Sequence, residues 1–445
     1  MPDRAGTICI VYESFSGQEG AYIMNDLRMI LFAVIITVFC LILVSVLFSV
    51  IRRVSNKRRY EKLDKLRDTF RPLITAGITS GSIGSIHHYI KKSKLRAGSP
   101  EWAALEDVLL ELSEKNGQKN YSRKLFDEFG YTRHYQNQLL QDGSSIVLSS
   151  AADKLGRIGD PSVIEALVNL LTHKKPEVVT VAFRALCRIG TVNALHHVLF
   201  SLPALLENRR VTVKTIQTSL LLFGPWAGDE LLHYARKTDN PEILAVIFET
   251  LITFPAKPEV FEFTLKKLSH PDPELRGKAL RLIARGGMGT ISYDPEVFSQ
   301  LLHDPVWFIR LQTAKTIGKI KCKNFVDMLK KLAIDERWQV RDAAALSLAE
   351  LGDASLDAFL ELLETPDRYA KESIAEEIQR TGFVLSLINY IGDADSEKKA
   401  KAKRILTSMH RMGFSTPLRE AVENGKSRPE ITDELTKILL QEGAA

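Results

Sequence analysis

VRDAAALSLAELGDASLDAFLELL, residues Val340–Leu363, reads as two short helices around one stop, and AADKLGRIGDPSVIEALVNLL, Ala151–Leu171, reads the same way. Working outward, small-residue stops recur at Gly159, Gly190, Gly224, Phe254, Gly287, Gly318, Gly352, Gly382, Gly413 and Gly443, 30 to 34 residues apart. Each interval holds two helix-length stretches split by a turn such as Lys175-Pro176, Asn240-Pro241, Asp304-Pro305 or Thr365-Pro366-Asp367. Glycine closes one helix because it accepts the left-handed cap, and Asp or proline opens the next. The second helix carries one apolar face, as in Val178, Ala182, Leu186 and Ile189, or Leu275, Ala279, Leu282 and Ile283. That period is helical. One pair cannot cover its own apolar face, so about ten stack side by side.

The two quoted segments resemble HEAT repeats, of the type also seen in phycobilisome-lyase-like proteins. The resemblance covers residues 100–443 and implies an all-α solenoid of about ten helix pairs. Such repeats serve scaffolds, adaptors, a few lyases and DNA glycosylases, so the likeness speaks to fold and leaves function open. Residues 72–143 fit the repeat poorly. Trp102–Lys115 and Tyr131–Leu140 read as helices of an atypical capping region, 100–143, ahead of the solenoid at 144–445, while Gly77–Ser85 reads as a flexible Gly/Ser joint.

The other strong signal lies near the N-terminus. Residues 29–51 hold no charge, and the apolar run Ile30–Ile51 is long enough, at about 1.5 Å per residue, to cross a bilayer. A cleavable signal would have a basic leading flank and a shorter core, and here the flanks are reversed. Residues 1–28, a short extracytoplasmic tail, sum to −2, residues 52–71 to +6, and everything beyond to only +2. The overall +6 is therefore a juxtamembrane cluster. By the positive-inside rule the chain is a single-pass cell-membrane protein with its N-terminus outside and its repeats cytoplasmic. Arg52, Arg53, Lys57, Arg58 and Arg59 are the candidate contacts to anionic lipid head groups, at the start of a basic stalk spanning 52–99. Met24 and Met29 stand as alternative starts.

Chemistry-bearing motifs are missing. The chain has no HExxH, GxSxG or GxxxxGK[ST], and Cys9, Cys40, Cys187 and Cys322 form no CxxC pair. His87-His88 and His196-His197 are neighbours whose side chains point about 100° apart on a helix, which does not make a metal face. No cofactor, metal or catalytic residue is expected. A net +2 over the body supplies little for nucleic-acid binding, and Lys398, Lys399, Lys401, Lys403 and Arg404 read as a solvated face. A basic residue follows a polar turn residue by six positions at Asn208/Lys214, His270/Arg276, Asp304/Arg310, Asp335/Arg341 and Thr365/Lys371. The resemblance implies an inter-repeat ladder for this pattern, with an anion-binding row as the competing reading. Arg341, in mid-array, is expected to matter more to stability than Arg310.

Trp307 and Trp338 are spaced 31 residues apart, each three before its ladder arginine. With Phe308, Arg310 and Arg341 they are the candidate partner-binding residues, since Trp and Arg are over-represented in binding hot spots. Stacking between repeats is the competing role. The expected function is a membrane-tethered cytoplasmic scaffold or adaptor for a protein partner, plausibly a membrane enzyme or complex; the alternative is an accessory or lyase-like factor acting on a cofactor-bearing protein.

Overall fold

A computed structural model describes residues 17–80, 95–115, 117–141, 143–286, 294–423 and 428–441. The expected stops at Gly287 and Gly443 and the pair His87-His88 lie outside them. Among the described residues the protein is helical, without strands. It divides into two compact units, Met1–Tyr131 and Thr132–Ala445.

The first unit is built on one long helix, α1 (Gly17–Ser80), with α2 (Pro100–Ser113) and α3 (Lys119–Glu128). Along α1 each large apolar side chain from Leu31 to Ile51 is about half exposed or more, Val38 being the most covered at 49%. This is a helix long and apolar enough to cross a membrane. The expected stalk, by contrast, is part of the fold from Leu63 onward. Leu63, Phe70, Ile74 and Gly77 are buried at helical spacing and α1 packs along α2. Arg67 donates to Asp107 (Nε to Oδ2 3.1 Å) and Arg71 to Glu111 (2.9 Å), flanking the apolar stripe. The flexible joint expected at Gly77–Ser85 is corrected for its first four residues, which continue α1 to Ser80. Residues 81–85 lie outside the described ones. The helices expected at Trp102–Lys115 and Tyr131–Leu140 correspond to α2 and to α4 (Tyr131–Leu140), and α3 was not foreseen. Tyr131 closes this unit by stacking on Phe126 (ring centroids 4.8 Å apart) and donating its hydroxyl to the Trp102 carbonyl (2.8 Å).

The second unit is the helix-pair array. Its first helices are α6 (Ile164–Leu170), α8 (Val192–Glu207), α10 (Gly228–Ala235), α12 (Pro258–Leu265), α14 (Pro295–Leu302), α16 (Val326–Leu332), α18 (Leu356–Glu364), α20 (Phe383–Tyr390) and α22 (Thr416–Glu423). The second series, beginning one helix earlier, is α5 (Ser145–Ile158), α7 (Pro176–Ile189), α9 (Val213–Leu220), α11 (Pro241–Leu251), α13 (Pro273–Ala284), α15 (Trp307–Lys319), α17 (Trp338–Leu351), α19 (Arg368–Arg380), α21 (Ser396–Arg411) and α23 (Pro429–Leu439). From α5 to α19 each second helix lies against the next. Caps act where the sequence indicated. Asn240, Asp272 and Asp367 accept backbone N–H groups of the helices they open, and Gly159 and Gly190 close theirs at φ 72° and 74°. Phe254 and Gly318 do not act this way: the helix before Phe254 closes at Ile252 without a left-handed residue, and Gly318 departs further. It lies inside α15, and the left-handed residue is Lys321 (φ 57°).

Gly318 and Gly156 show why the second helices run so close. A Cβ on Gly156 would stand 2.5 Å from Ala185 Cα of the next second helix, and one on Gly318 2.8 Å from Ser347 Oγ. Ser347 also donates to the Ala314 carbonyl (2.7 Å), and Thr316 to that of Leu280 (3.1 Å), so small residues stitch adjacent helices through the core. By helix propensity alone Gly156→Ala gains about 1 kcal/mol. The contact reverses the sign: with backbone as the obstacle, overpacking costs about 2 kcal/mol, read as a lower urea midpoint.

Candidate partner-binding surface

The turns that open the second helices carry the charged ladder. Asp304 and Asp335 each accept the N–H two residues on, from Val306 and Arg337 (both 2.9 Å), which fixes the carboxylates at the turn. Arg276 then reaches back to its own turn carbonyls, His270 and Pro271 (both 2.9 Å), and forward to Asp304 (2.7 Å). Arg310 repeats the move with a two-pronged grip on Asp335, at 2.8 and 3.0 Å, and a bond to the Asp304 carbonyl (2.9 Å). Both partners are nearly covered, at 13% and 8% side-chain exposure. Hydrogen bonding to Asp335 raises the Arg310 pKa. Burial pushes the Asp335 carboxyl up, but Arg310 and the Arg337 N–H outweigh it and hold the group below its usual range.

The ladder stops after Arg341. Its guanidinium bonds the Asp335 carbonyl (2.9 Å) and lies over the Tyr369 ring (5.6 Å), because Thr365 occupies the place where a carboxylate would stand. This corrects the expected order of importance: Arg310, not Arg341, carries the buried pair. Lys214 is exposed, and Lys371 has no carboxylate partner among the described residues, so Asn208/Lys214 and Thr365/Lys371 are not rungs. His196 and His197 turn to different carboxylates, Glu230 (3.4 Å) and Glu165 (3.6 Å).

The aromatic pair splits. Trp338, at the start of α17, is 60% exposed, whereas Trp307, at the start of α15, is half-buried edge-on to Phe308 (6.3 Å). The Phe308 ring in turn stands 3.5 Å from where a Cβ on Gly277 would be, covering that glycine. The exposed aromatic neighbour on this edge is Tyr369, at 68%. It stands 31 residues after Trp338, the spacing of the tryptophans themselves, and sequence reading passed over it because it is a tyrosine whose next basic residue, Lys371, follows by two positions and not three. The outward group is therefore Trp338, Arg341 and Tyr369, with Trp307 and Phe308 packed behind.

HEAT repeats match residues 134–208 and 295–379. The array is a HEAT-type solenoid. Similar solved structures include an engineered protein (18% identical, covering 81% of this chain and 99% of that one, TM-score 0.31) and Kap121p bound to Nup53p (12%, 80% and 46%, 0.43). Human deoxyhypusine hydroxylase in complex with glycerol is also similar (17%, 63% and 95%, 0.24). The chain spans about half the length of Kap121p. No curated protein matches it in sequence.

Proposed function

We propose that this protein is a non-enzymatic, membrane-tethered scaffold or adaptor whose HEAT-type array presents a cytoplasmic surface to a protein partner, a membrane enzyme or complex. The observation that carries it is the outward group Trp338, Arg341 and Tyr369, two exposed aromatic rings on successive second helices with a guanidinium over one of them. The exposed apolar stretch of α1 supports the tether, since such a helix needs lipid around it. Arg52, Arg53, Lys57, Arg58 and Arg59, all exposed directly after it, support an N-out orientation and contact with anionic head groups. The likeness to phycobilisome-lyase-like repeats offers a second partner class, a cofactor-bearing protein, which a small molecule retained on purification would mark.

Two measurements test this reading. Capture of partners in mild detergent identifies the protein held by the wild type, and Trp338→Ala should weaken that complex about thirtyfold at unchanged melting temperature. Equal binding by Trp338→Ala and Tyr369→Ala would move the contact surface elsewhere. Orientation needs a new thiol, because Cys187 and Cys322 are buried, with the Cys187 thiol pushed well up by burial, and neither would label from any side. Phe200, 87% exposed, serves: Phe200→Cys in a Cys9→Ser background should react with an impermeant maleimide only after the cells are opened. Labelling of intact cells reverses the topology.

A further inference from the structure

We infer that the C-terminal end of the array holds a groove for an acidic segment of a protein partner, distinct from the Trp338 edge. It deepens the scaffold reading and rests on it. The groove exists because the stacking changes register: α21 packs on α18 and α20 instead of running along α19 as its predecessors do. Lys401 to Asp357 (2.7 Å) and Arg404 to Glu364 fasten α21 to α18. The space opened toward α19 measures 1070 Å³, far more than an inorganic anion needs, and is lined by the starts of α19 and α22 and the ends of α21 and α23. His410 braces it, bonding Ser415 Oγ (2.6 Å) and the Gln441 carbonyl (3.1 Å).

Its charge is one-sided. Among the lining residues Glu372 is the one carboxylate, and Arg368 holds it (2.6 Å). Lys371, Arg411 and Arg419 line the same groove, and among the described residues none has a carboxylate partner. Some cations nearby are matched, Lys398 with Asp353 (2.7 Å) and Lys330 with Glu361 (2.6 Å), and others such as Lys399 are not among the described residues; what sets Lys371, Arg411 and Arg419 apart is that all three line one concavity. Met412, Leu439 and Leu440, the last 77% exposed, add apolar wall between the charges. A concave site with spaced cations and apolar patches suits a peptide alternating carboxylates with an apolar side chain; a flat membrane surface cannot enter it.

The test uses the full chain in non-ionic detergent and fluorescence anisotropy with a labelled peptide of Glu and Leu residues, its Gln-for-Glu counterpart serving as control. Expected are binding of the Glu peptide only, weakening with added salt, and a loss of about tenfold or more in the Arg411→Glu/Arg419→Glu variant. Equal binding of both peptides, or an unaltered affinity in the variant, overturns the proposal. So does displacement by inorganic phosphate or by phosphatidylserine vesicles at matched charge, which would mark a simple anion or lipid site. If the double variant melts early, Lys371→Gln and Arg419→Gln decide by the same criteria. Should the peptide fail while Trp338→Ala still abolishes partner capture, the groove falls and the scaffold reading stands; if Trp338→Ala has no effect but the peptide binds as expected, the Trp338 edge falls and the groove remains.

Discussion

Deleting residues 1–54 should leave a soluble, fully folded protein, whereas deleting 1–99 should unfold or aggregate its first unit. The shorter cut removes the N-terminal tail, the exposed apolar stretch of α1 and the first basic residues after it, and leaves Leu63, Phe70 and Ile74 in place. The longer cut strips α2 of Leu63, Phe70 and Ile74, exposed by 7%, 2% and 0%. At about 2 kcal/mol for each large apolar side chain, this is roughly 6 kcal/mol, comparable to the whole stability of a small domain. The ion pairs Arg67–Asp107 and Arg71–Glu111 add little, because all four side chains keep substantial exposure. Circular dichroism and gel filtration of the two truncations decide the matter. If the 100–445 fragment is monomeric and melts as cooperatively as the 55–445 fragment, the packing of α1 on α2 contributes nothing.

Arg310→Ala should destabilise the array by about 3 kcal/mol, and Arg341→Ala by about 1. Removing Arg310 leaves the Asp335 carboxylate covered and without its two-pronged partner, and an unmatched buried charge is the costly outcome. Arg341 loses one bond to a carbonyl and a contact with an exposed ring, both modest. The pH dependence separates the causes. Asp335 has a folded-state pKa below its unfolded value, so its contribution is present above about pH 4 and disappears as pH falls through the folded pKa. In Arg310→Ala burial remains without the guanidinium, so the carboxyl moves up and the variant regains ground on acidification. The gap between wild type and Arg310→Ala in urea should therefore begin to narrow above about pH 4, as the raised carboxyl of the variant titrates, and go on narrowing below it. A gap that stays constant from pH 7 to pH 3 would mean that the side chain acts through packing alone.

What the sequence determined by itself is what is local or periodic. Helix pairs follow from apolar spacing and from caps such as Asn240 and Gly190, whose effect depends on a few neighbouring bonds. The lipid-spanning length of α1 follows from composition. The amphipathic stripe through Leu63, Phe70 and Ile74 was also present in the sequence, hidden among nine basic side chains that made residues 52–71 look like a solvated stalk. Other features were decided only by tertiary structure, because each depends on what another repeat brings near. Gly318 looked like a helix stop, yet it is a close approach, since Ser347 comes from the next unit. Trp307 and Trp338 are equivalent in sequence and differ in exposure, since Trp307 has Phe308 turned against it while among the described residues no ring packs on Trp338, which is 60% exposed. Arg310 and Arg341 share one motif, but the carboxylate that makes one of them matter is supplied a repeat later, and after Arg341 the chain supplies Thr365. The groove beside α19 has no signature along the chain, because it is made by where α21 fails to lie.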